Sequence, residues 1–404
     1  MRTPISLAAS LLTTLCAAQT FTTWHMADGL PTDDIRDVAV APDGTIWLAT
    51  GAGVAAFNGS TFTVHTTGTH PGLASNDAYA IEVTTDGDVW VGTDFGVSVY
   101  NGASYTAYTT ANGLSDNEIK NIKQAPNGDV WLATINGATR YSASSFTAFG
   151  SPSIPFGGAT HVAFGSNGDV LLSGGLGGMI VYNGSTFTAV TTAGGLLSNR
   201  LRSIAVNGAQ ERWVGTSDGI SVMDAANAHI TDHEAFFELP PPDELNPVTD
   251  VLIDLVGRVW AAVYVDYLVT EGGISVYANN DWLQFEESDG LAGPNVRRIA
   301  MDADGDIWVT TSTGLTEISD ISIGIDERAV AGLRLFPNPA RSSMELLLDE
   351  PMNGAALEVL DAAGRKLLAG NATGLRHRFD VSMLPAGLYT VRIGARAARF
   401  MVER

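Results

Sequence analysis

One short pattern occurs seven times along the chain, and its second copy is DGDVWVGTDFGVSVYNG, residues 86–102. The central positions of successive copies lie about 40 to 48 residues apart, and six of the seven hold tryptophan. These positions are Trp47, Trp90, Trp131, Leu171, Trp213, Trp260 and Trp308. A repeat of this length is typical of the blade of a β-propeller. The sequence therefore predicts an all-β fold that contains a seven-bladed β-propeller.

Each copy contains four strand signals separated by tight turns. In the second copy DAYAIEV, VWVGT, GVSVY and YTAYT alternate apolar and polar residues, as strands do. The seventh copy ends after three strands, and TFTTW near the N-terminus supplies a fourth, with Phe21 in the expected register. We therefore expect the N-terminal strand to pair with the last blade, because that blade would otherwise expose an unpaired edge.

Residues 1–18 have the features of an export signal peptide. Arg2 precedes an apolar run that is too short to span a bilayer, and small residues precede Gln19. No later stretch is apolar and long enough to cross a membrane, so we expect no integral membrane segment after the signal is removed. Cys16 is the only cysteine and lies within this signal. The mature chain is therefore predicted to have no disulfide and no zinc–cysteine site.

The formal net charge of −22 is spread unevenly. Residues 19–332 hold 11 Lys and Arg against 37 Asp and Glu, whereas residues 333–404 hold 10 against 7. This shift predicts a propeller over residues 19–317, a linker over 318–332 and a separate domain over 333–404. The acidic body would repel phosphates, so we expect no nucleic-acid partner.

The C-terminal residues contain about seven short strand signals, which suits a small Ig-like β-sandwich. FPNPA (336–340), DAAGR (361–365) and DVSMLPAGLYTVRI (380–393) resemble, in this order, the motifs of the C-terminal sorting domain of type IX secretion cargo. The resemblance implies the type IX secretion machinery as a partner, and a secreted or outer-membrane surface location in a Gram-negative bacterium. The motif residues are Pro337, Asn338, Pro339, Gly364, Leu384, Pro385, Gly387 and Tyr389.

The propeller repeats resemble those of two-component regulators. The segments GLSDNEIKNIKQAPNGDVWLAT and GLAGPNVRRIAMDADGDIWVTT carry that family's Gly-Leu, Asn, Asp-Gly or Asn-Gly, Trp pattern. Copies four and six lack Gly-Leu, and copy four also lacks Trp. In that family the repeats often form extracytoplasmic sensor regions. No signalling domain follows the repeats in this sequence, so we do not extend the sensor role to this chain.

Two motifs that resemble sites of chemistry fit turns better. GTSDG places Ser217 in a nucleophile-like pattern, but other copies hold GTDFG and ATGAG in the same place, between two strands. DADGD resembles a calcium loop, but the sixth and twelfth positions from Asp302 are Ile307 and Thr313 instead of Gly and Glu. The seven histidines show no metal-binding spacing. The sequence therefore predicts no catalytic residue, no metal ligand and no cofactor.

The copies lengthen at two places, HEAFFELPPPDELNP (233–247) and YVDYLVTEGG (264–273). The first connects blade 5 to blade 6, and the second joins the middle strands of blade 6. In a propeller both connections emerge on one face, and binding residues collect on loops held by a rigid scaffold. We predict a ligand-binding site there, called the loop ridge, formed by Phe236, Phe237, Asp243, Glu244, Tyr264, Asp266, Tyr267 and Glu271.

Two functions from different classes remain open at this point. The sequence favours a monomeric, non-catalytic binding or interaction protein whose ligand is a glycan or another surface protein. The alternative is a secreted propeller lyase or hydrolase that acts on polysaccharide, because some propeller lyases carry similar repeats and use a histidine and a metal. No acidic or histidine residue repeats at the loops expected to face the pore, and this favours the binding protein.

Overall fold

The computed structural model describes two stretches of the chain. They comprise residues 19–155, 157–237, 246–264, 271–278, 280–319 and 321, and then residues 333–336, 340, 343–348, 352, 354–361, 365–371, 374–385, 387–393 and 396–402. The predicted export signal and most of the predicted linker lie outside these residues. The chain divides into two compact units, Met1–Ser322 and Ile323–Arg404.

The described residues of the first unit form seven four-stranded antiparallel sheets, which confirms the predicted seven-bladed propeller. The chain enters through β1 (Thr20–Trp24). Blades 1 to 3 consist of β2 (Ile35–Val40), β3 (Ile46–Thr50), β4 (Gly53–Phe57), β5 (Phe62–His65), β6 (Ala78–Val83), β7 (Val89–Thr93), β8 (Gly96–Tyr100), β9 (Tyr105–Tyr108), β10 (Ile119–Gln124), β11 (Val130–Thr134), β12 (Gly137–Ser142) and β13 (Ser145–Phe149).

The remaining blades follow in chain order. Blades 4 to 7 consist of β14 (His161–Phe164), β15 (Val170–Ser173), β16 (Met179–Tyr182), β17 (Phe187–Val190), β18 (Leu201–Val206), β19 (Arg212–Thr216), β20 (Gly219–Met223), β21 (His229–His233), β22 (Val248–Ile253), β23 (Val259–Tyr264), β24 (Gly272–Ala278), β25 (Asp281–Phe285), β26 (Val296–Met301), β27 (Ile307–Thr311) and β28 (Leu315–Ser319). Short 3-10 helices lie in the connections that lead to blades 1, 3, 5 and 7, at Met26–Asp28, Thr110–Asn112, Thr192–Gly194 and Glu287–Asp289.

The hydrophobic core lies between neighbouring blades. All five residues of β7 are buried, whereas the outer strand β9 exposes two of its four. The Trp90 ring lies 5.0 Å from the Tyr141 ring of the next blade, and the Trp131 ring lies 5.6 Å from that of Tyr182. The repeated tryptophans thus fill the space where one sheet packs on the next, as face-to-face sheets require.

The first strand of the chain is the outer strand of the last blade. β1 pairs antiparallel with β28, and Phe21 lies opposite Ile318. The Trp24 ring stacks on Trp308 of the same blade at 5.4 Å and lies 5.0 Å from the Phe57 ring of blade 1. β1 therefore covers the edge of blade 7 and also contacts blade 1, so that the two ends of the propeller are held together.

The second unit is a small antiparallel sandwich, as predicted. One sheet has the order β29-β30-β33 and the other has the order β32-β31-β34-β35. The strands are β29 (Leu333–Phe336), β30 (Ser343–Leu348), β31 (Ala356–Asp361), β32 (Lys366–Asn371), β33 (Arg376–Asp380), β34 (Gly387–Ile393) and β35 (Arg396–Val402). Their core includes Met344, Leu346, Val359 and Val391. Within the part of the chain that the structure describes, no helix could span a membrane.

Candidate functional site

One residue from the inner strand of every blade occupies the same position around the propeller axis. In six blades this residue directly follows a register shift in the pairing of the first two strands. The seven residues, which we call the axial ring, are Asp37, Ala80, Asn121, His161, Ser203, Asp250 and Arg298. Six of them are polar, although the strands around them are mostly apolar. A polar residue at the same position in six blades indicates a shared structural role.

Four ring side chains accept a hydrogen bond from a backbone N–H of the following blade. The bonds run from Ile81 N to Asp37 Oδ2 (2.9 Å), from Val162 N to Asn121 Oδ1 (3.1 Å), from Val251 N to Ser203 Oγ (3.1 Å) and from Ile299 N to Asp250 Oδ2 (2.9 Å). Each inner strand is the edge of its own sheet. Its outward N–H groups need partners from outside the sheet, because an unpaired buried N–H is costly. The ring supplies those partners and joins consecutive blades.

The junction between blades 7 and 1 uses ion pairs instead. Arg298 has no acceptor to offer, and its Nη1 donates to the Thr249 carbonyl of blade 6 at 3.0 Å. Its Nε lies 3.9 Å from Asp37 Oδ1 of blade 1. The neighbouring Arg297 Nη1 lies 2.7 Å from Asp34 Oδ1. Two arginines of the last blade thus contact two aspartates of the first, and they add to the closure made by β1.

A cavity of about 300 Å³ lies on the axis, lined by inner-strand residues of blades 1 and 3 to 7. The ring residues Asp37, His161 and Asp250 line it together with Lys123. Lys123 Nζ lies 3.0 Å from Glu82 Oε2. Burial lowers the pKa of Lys123, but the carboxylates of Glu82 and Asp37 outweigh burial and raise that pKa to about 12. Lys123 is therefore a cation at neutral pH.

Burial and neighbouring charges shift the pKa values of the acidic and basic groups that line the cavity. Burial raises the pKa of Asp37, while Arg298 and Lys123 act in the opposite direction. Burial, with a smaller effect of the same two cations, holds the pKa of His161 well below its usual range. His161 is therefore neutral at pH 7, and its buried Nδ1 has no hydrogen-bond partner among the described residues. In chemical terms the cavity offers two carboxylates, one neutral imidazole and two cations.

The carboxylates of the cavity already accept hydrogen bonds from groups of the propeller. Asp37 accepts the N–H of Val38 at Oδ1 and that of Ile81 at Oδ2, both at 2.9 Å. Asp250 Oδ1 accepts from Ser203 Oγ at 2.7 Å, in addition to the bond between its Oδ2 and blade 7. Such bonds fix the orientation of each carboxylate and leave little freedom for proton transfer.

The structure corrects one part of the predicted loop ridge. Phe236 and Phe237 are only 8% and 6% exposed. Their N–H groups both donate to Oδ1 of the buried Asn246, at 2.7 and 2.8 Å. The Phe236 ring stacks on Trp282 at 4.4 Å. The expectation that these two rings offer a binding surface is wrong, because they belong to the core between blades 5 and 6.

The structure brings together the ends of the two long loops. Tyr264, the last residue of β23, is partly buried, and its N–H donates to the Pro247 carbonyl at 3.2 Å. It pairs with Gly272, directly after the partly buried Glu271. The two loops therefore start from adjoining places on the propeller. Four further predicted ridge residues, Asp243, Glu244, Asp266 and Tyr267, lie outside the described residues.

Three carboxylates lie close together in blade 7. Oxygens of Asp302, Asp306 and Glu317 lie within 4.8 Å of one another. Asp302 Oδ2 accepts the indole N–H of Trp308 at 2.8 Å. Burial raises the pKa of Glu317, and Asp306 and Asp302 raise it further. The three carboxylates therefore repel one another, and this repulsion disfavours the charged form of Glu317.

The described residues of the sorting motif have structural roles. Tyr389 is buried, and its hydroxyl donates to the Pro385 carbonyl at 2.7 Å. Leu384 packs against the core of the sandwich. Gly387 opens β34 with a φ of +156°, at the limit of what other residues adopt. The other motif residues, Pro337, Asn338, Pro339 and Gly364, lie outside the described residues.

Two family models match the chain. The secretion system C-terminal sorting domain matches residues 334–403, and the two component regulator propeller matches residues 72–95 and 290–313. Among curated proteins, none matches the sequence. The sorting domain implies interaction with the type IX secretion machinery.

Several solved structures share the fold. PorZ, an essential bacterial surface component of the type IX secretion system of Porphyromonas gingivalis, is 19% identical with a TM-score of 0.61, covering 93% of this chain and 60% of PorZ. The extracellular domain of the hybrid two-component system BT3049 from B. thetaiotaomicron is 14% identical with a TM-score of 0.62, covering 96% and 60%. This chain thus spans 60% of the length of either structure.

Virginiamycin B lyase from Staphylococcus aureus also resembles the propeller, at 15% identity and a TM-score of 0.57, covering 74% of this chain and 99% of the lyase. At these identities the likenesses establish the fold. The family matches add the repeat type and the export route. The protein is therefore a secreted or cell-surface β-propeller of two-component-regulator-type repeats that carries a C-terminal type IX secretion sorting domain.

Proposed function

We propose that this protein works outside the outer membrane as a monomeric, non-catalytic binding protein. In this proposal the sorting domain directs export, and the propeller recognises a glycan or another surface protein. The observation that carries the proposal is the use of Asp37 and Asp250 as blade-to-blade hydrogen-bond acceptors. The acidic groups of the axial cavity hold neighbouring blades together. A rigid scaffold of this kind can position binding loops.

Hydrolysis or elimination on a polysaccharide needs an acid and a base that can reach the substrate and exchange protons with it. The two cavity aspartates accept hydrogen bonds from backbone N–H groups of four blades instead. His161 is the remaining candidate base, and this ring residue is only 6% exposed. These features support binding in preference to catalysis.

Recognition is assigned to the face that carries the turns between second and third strands and the connections between blades. The described ends of the two long loops lie on this face, with Tyr264 at the end of β23 and Glu271 directly before β24. A tyrosine offers a ring face and a hydroxyl, and a glutamate accepts hydrogen bonds from sugar or peptide donors. We keep these two residues as ligand contacts, together with Asp243, Glu244, Asp266 and Tyr267.

A polysaccharide lyase is the second candidate function. The fold likeness to virginiamycin B lyase supports it, since the crystallised inactive variant of that enzyme has a histidine replaced by alanine. In the present chain His161 is the histidine among the described residues that line the axial cavity, and its buried Nδ1 has no hydrogen-bond partner among them. This candidate predicts that cleavage activity depends on His161.

One panel separates the two functions. The purified full chain without residues 1–18 is analysed for bound metal and then incubated with a set of polysaccharides, with binding and cleavage measured in parallel. Binding without cleavage, weakened by Tyr264→Ala and retained in His161→Asn, supports the proposal. Cleavage that is lost in His161→Asn, with the melting temperature unchanged, would establish the lyase instead.

A further inference from the structure

Three consecutive blades present a large apolar side chain at the turn between their second and third strands. Phe95 in blade 2 is 66% exposed, Ile135 in blade 3 is 48% exposed and Leu176 in blade 4 is 71% exposed. The same turn holds Ala52 in blade 1, Ser217 and Asp218 in blade 5, and Ser312 and Thr313 in blade 7. Isolated exposed apolar residues are ordinary, but here the corresponding turns of three neighbouring blades each expose one.

We infer that Phe95, Ile135 and Leu176 form a docking surface, the apolar arc, for a protein segment with apolar side chains and an acidic group. The inference rests on the proposed binding function and names its partner class. Sheets that pack face to face lie about 10 Å apart, so three successive turns span on the order of 20 Å. An extended segment of about six residues covers that distance, at roughly 3.3 Å per residue.

The arc is preorganised by hydrogen bonds to neighbouring parts of the propeller. The Phe95 N–H donates to Thr93 Oγ1 at 3.0 Å, and the next residue, Gly96, donates to the Asn117 carbonyl at 2.9 Å. The Ile135 N–H donates to the Glu118 carbonyl at 3.3 Å. Turns that are already fixed lose little entropy when a partner binds, and affinity increases accordingly.

The acidic group of the partner is inferred from Arg200. Its side chain is exposed and has no hydrogen-bond or ion-pair partner among the described residues. It lies beside the end of the arc, because the N–H of the next residue, Leu201, donates to the carbonyl of Gly175 at 3.1 Å. Gly175 directly precedes Leu176. A carboxylate that follows the apolar residues of the segment would pair with this guanidinium.

The chemistry of the arc favours protein over the other possible occupants. Ile135 and Leu176 have neither a ring face nor a hydrogen-bonding group, so they would leave sugar hydroxyls unsatisfied. An anionic lipid surface is disfavoured because it would face many of the 37 acidic residues that residues 19–332 hold against 11 basic ones, whereas a short segment places a single carboxylate beside Arg200. An apolar segment that ends in Asp or Glu would pack its apolar side chains on the arc and pair its carboxylate with Arg200.

The chain offers a matched control on the opposite face of the propeller. Leu255 and Val256 are each 75% exposed and lie in the turn between the first and second strands of blade 6. In an antiparallel blade that turn and the turns of the arc are at opposite ends of the strands. Leu255→Ser/Val256→Ser therefore removes a similar apolar surface without touching the arc.

The test selects peptides from a random twelve-residue library displayed on phage, with the full chain lacking residues 1–18 as the target. We expect selected peptides to combine apolar residues with Asp or Glu. Their affinity should fall by about tenfold or more in Phe95→Ser/Ile135→Ser/Leu176→Ser and in Arg200→Ala, but not in the control. Equal loss in the control, or no loss in the triple variant, would overturn the inference.

Vesicles of phosphatidylethanolamine and phosphatidylglycerol provide the remaining arm. Binding of the chain to these vesicles that is abolished by the triple variant would mean a membrane contact and would also overturn the inference. These readouts are independent of the polysaccharide panel. If the apolar arc does not bind peptides, the chain can still bind a polysaccharide in the panel. If the proposed function is wrong, the panel shows cleavage of a polysaccharide instead.

Discussion

The backbone N–H of Ile299 in blade 7 donates a 2.9 Å hydrogen bond to Asp250 Oδ2 in blade 6. The other oxygen, Asp250 Oδ1, accepts from Ser203 Oγ in blade 5 at 2.7 Å and from the N–H of Val251 at 3.0 Å. One buried carboxylate thus connects three consecutive blades at the axis. The cost of burying its charge is offset by these donors, as buried polar groups require.

Asp250→Ala should destabilise the propeller by about 2–4 kcal/mol, because the buried donors Ile299 N–H and Ser203 Oγ–H lose their acceptor and Val251 N–H loses one of its two. Asp250→Asn keeps one acceptor oxygen and should fall between this variant and the wild type. Denaturant unfolding of the full chain measures both variants. Asp304→Ala, at an exposed turn residue of blade 7, is the control and should change stability by less than about 0.5 kcal/mol. Equal stability of Asp250→Ala and the control would refute the role of the ring.

The repeat pattern was sufficient to predict the propeller, because strand alternation and turn chemistry recur in every copy. It was not sufficient to predict the axial ring. The ring position lies ten residues before each central position, as Asp37 does before Trp47 and Asp250 before Trp260, yet its residue type changes from blade to blade. In four blades the physical requirement is an acceptor that reaches the next blade, and Asp, Asn and Ser all satisfy it. A polar residue at that fixed offset was the available signal.

For the loop ridge, the sequence predicted exposed aromatic side chains that the structure buries. Phe236 and Phe237 lie in a long, Pro-rich connection, and their position in a loop suggested exposure. The structure buries both rings because Asn246, nine or ten residues later, accepts their N–H groups and turns the chain inward. This contact joins residues across a loop, and no local pattern in the sequence encodes it.

Deletion of residues 19–25 should lower the melting temperature by at least about 5 °C, because it removes one of four strands from blade 7. It also removes Trp24, which stacks on Trp308 and contacts Phe57. Deletion of residues 333–404 should leave the propeller transition nearly unchanged, since it lies in the other compact unit. Calorimetry of the two truncated chains makes the comparison. An unchanged propeller transition after the first deletion would contradict closure by β1.

Residues 333–404, fused behind a reporter with an export signal, should carry that reporter across the outer membrane of a type IX-competent host. The match of the sorting-domain family to residues 334–403 motivates this prediction. Fractionation into periplasm, cell surface and medium provides the measurement. A reporter that stays periplasmic, while an established sorting domain is secreted in the same host, would show that these residues are not a sufficient signal.

A pair of stacked histidines connects blade 1 to blade 2. The His65 and His70 rings lie 3.8 Å apart with an interplanar angle of 16°, and His65 Nδ1 lies 2.9 Å from the Tyr105 hydroxyl. Burial lowers the pKa of His65 to about 4, and the neighbouring His70 contributes in the same direction. Phe149 holds the equivalent place in blade 3 and stacks on Trp131 at 5.5 Å. An aromatic ring without a titratable proton therefore fits this position.

The lowered pKa of His65 makes propeller stability depend on pH in a defined direction. The folded state disfavours the protonated imidazole, so its contribution is fully present above the unfolded pKa of about 6.5 and is lost as pH falls toward 4. The loss amounts to on the order of 3 kcal/mol for a shift of this size. In His65→Phe the decrease in unfolding free energy between pH 7 and pH 4 should be smaller than in the wild type by about that amount. Parallel pH profiles of the two chains would contradict the assignment, since the remaining decrease must then come from His161, His233 and other groups that both chains share.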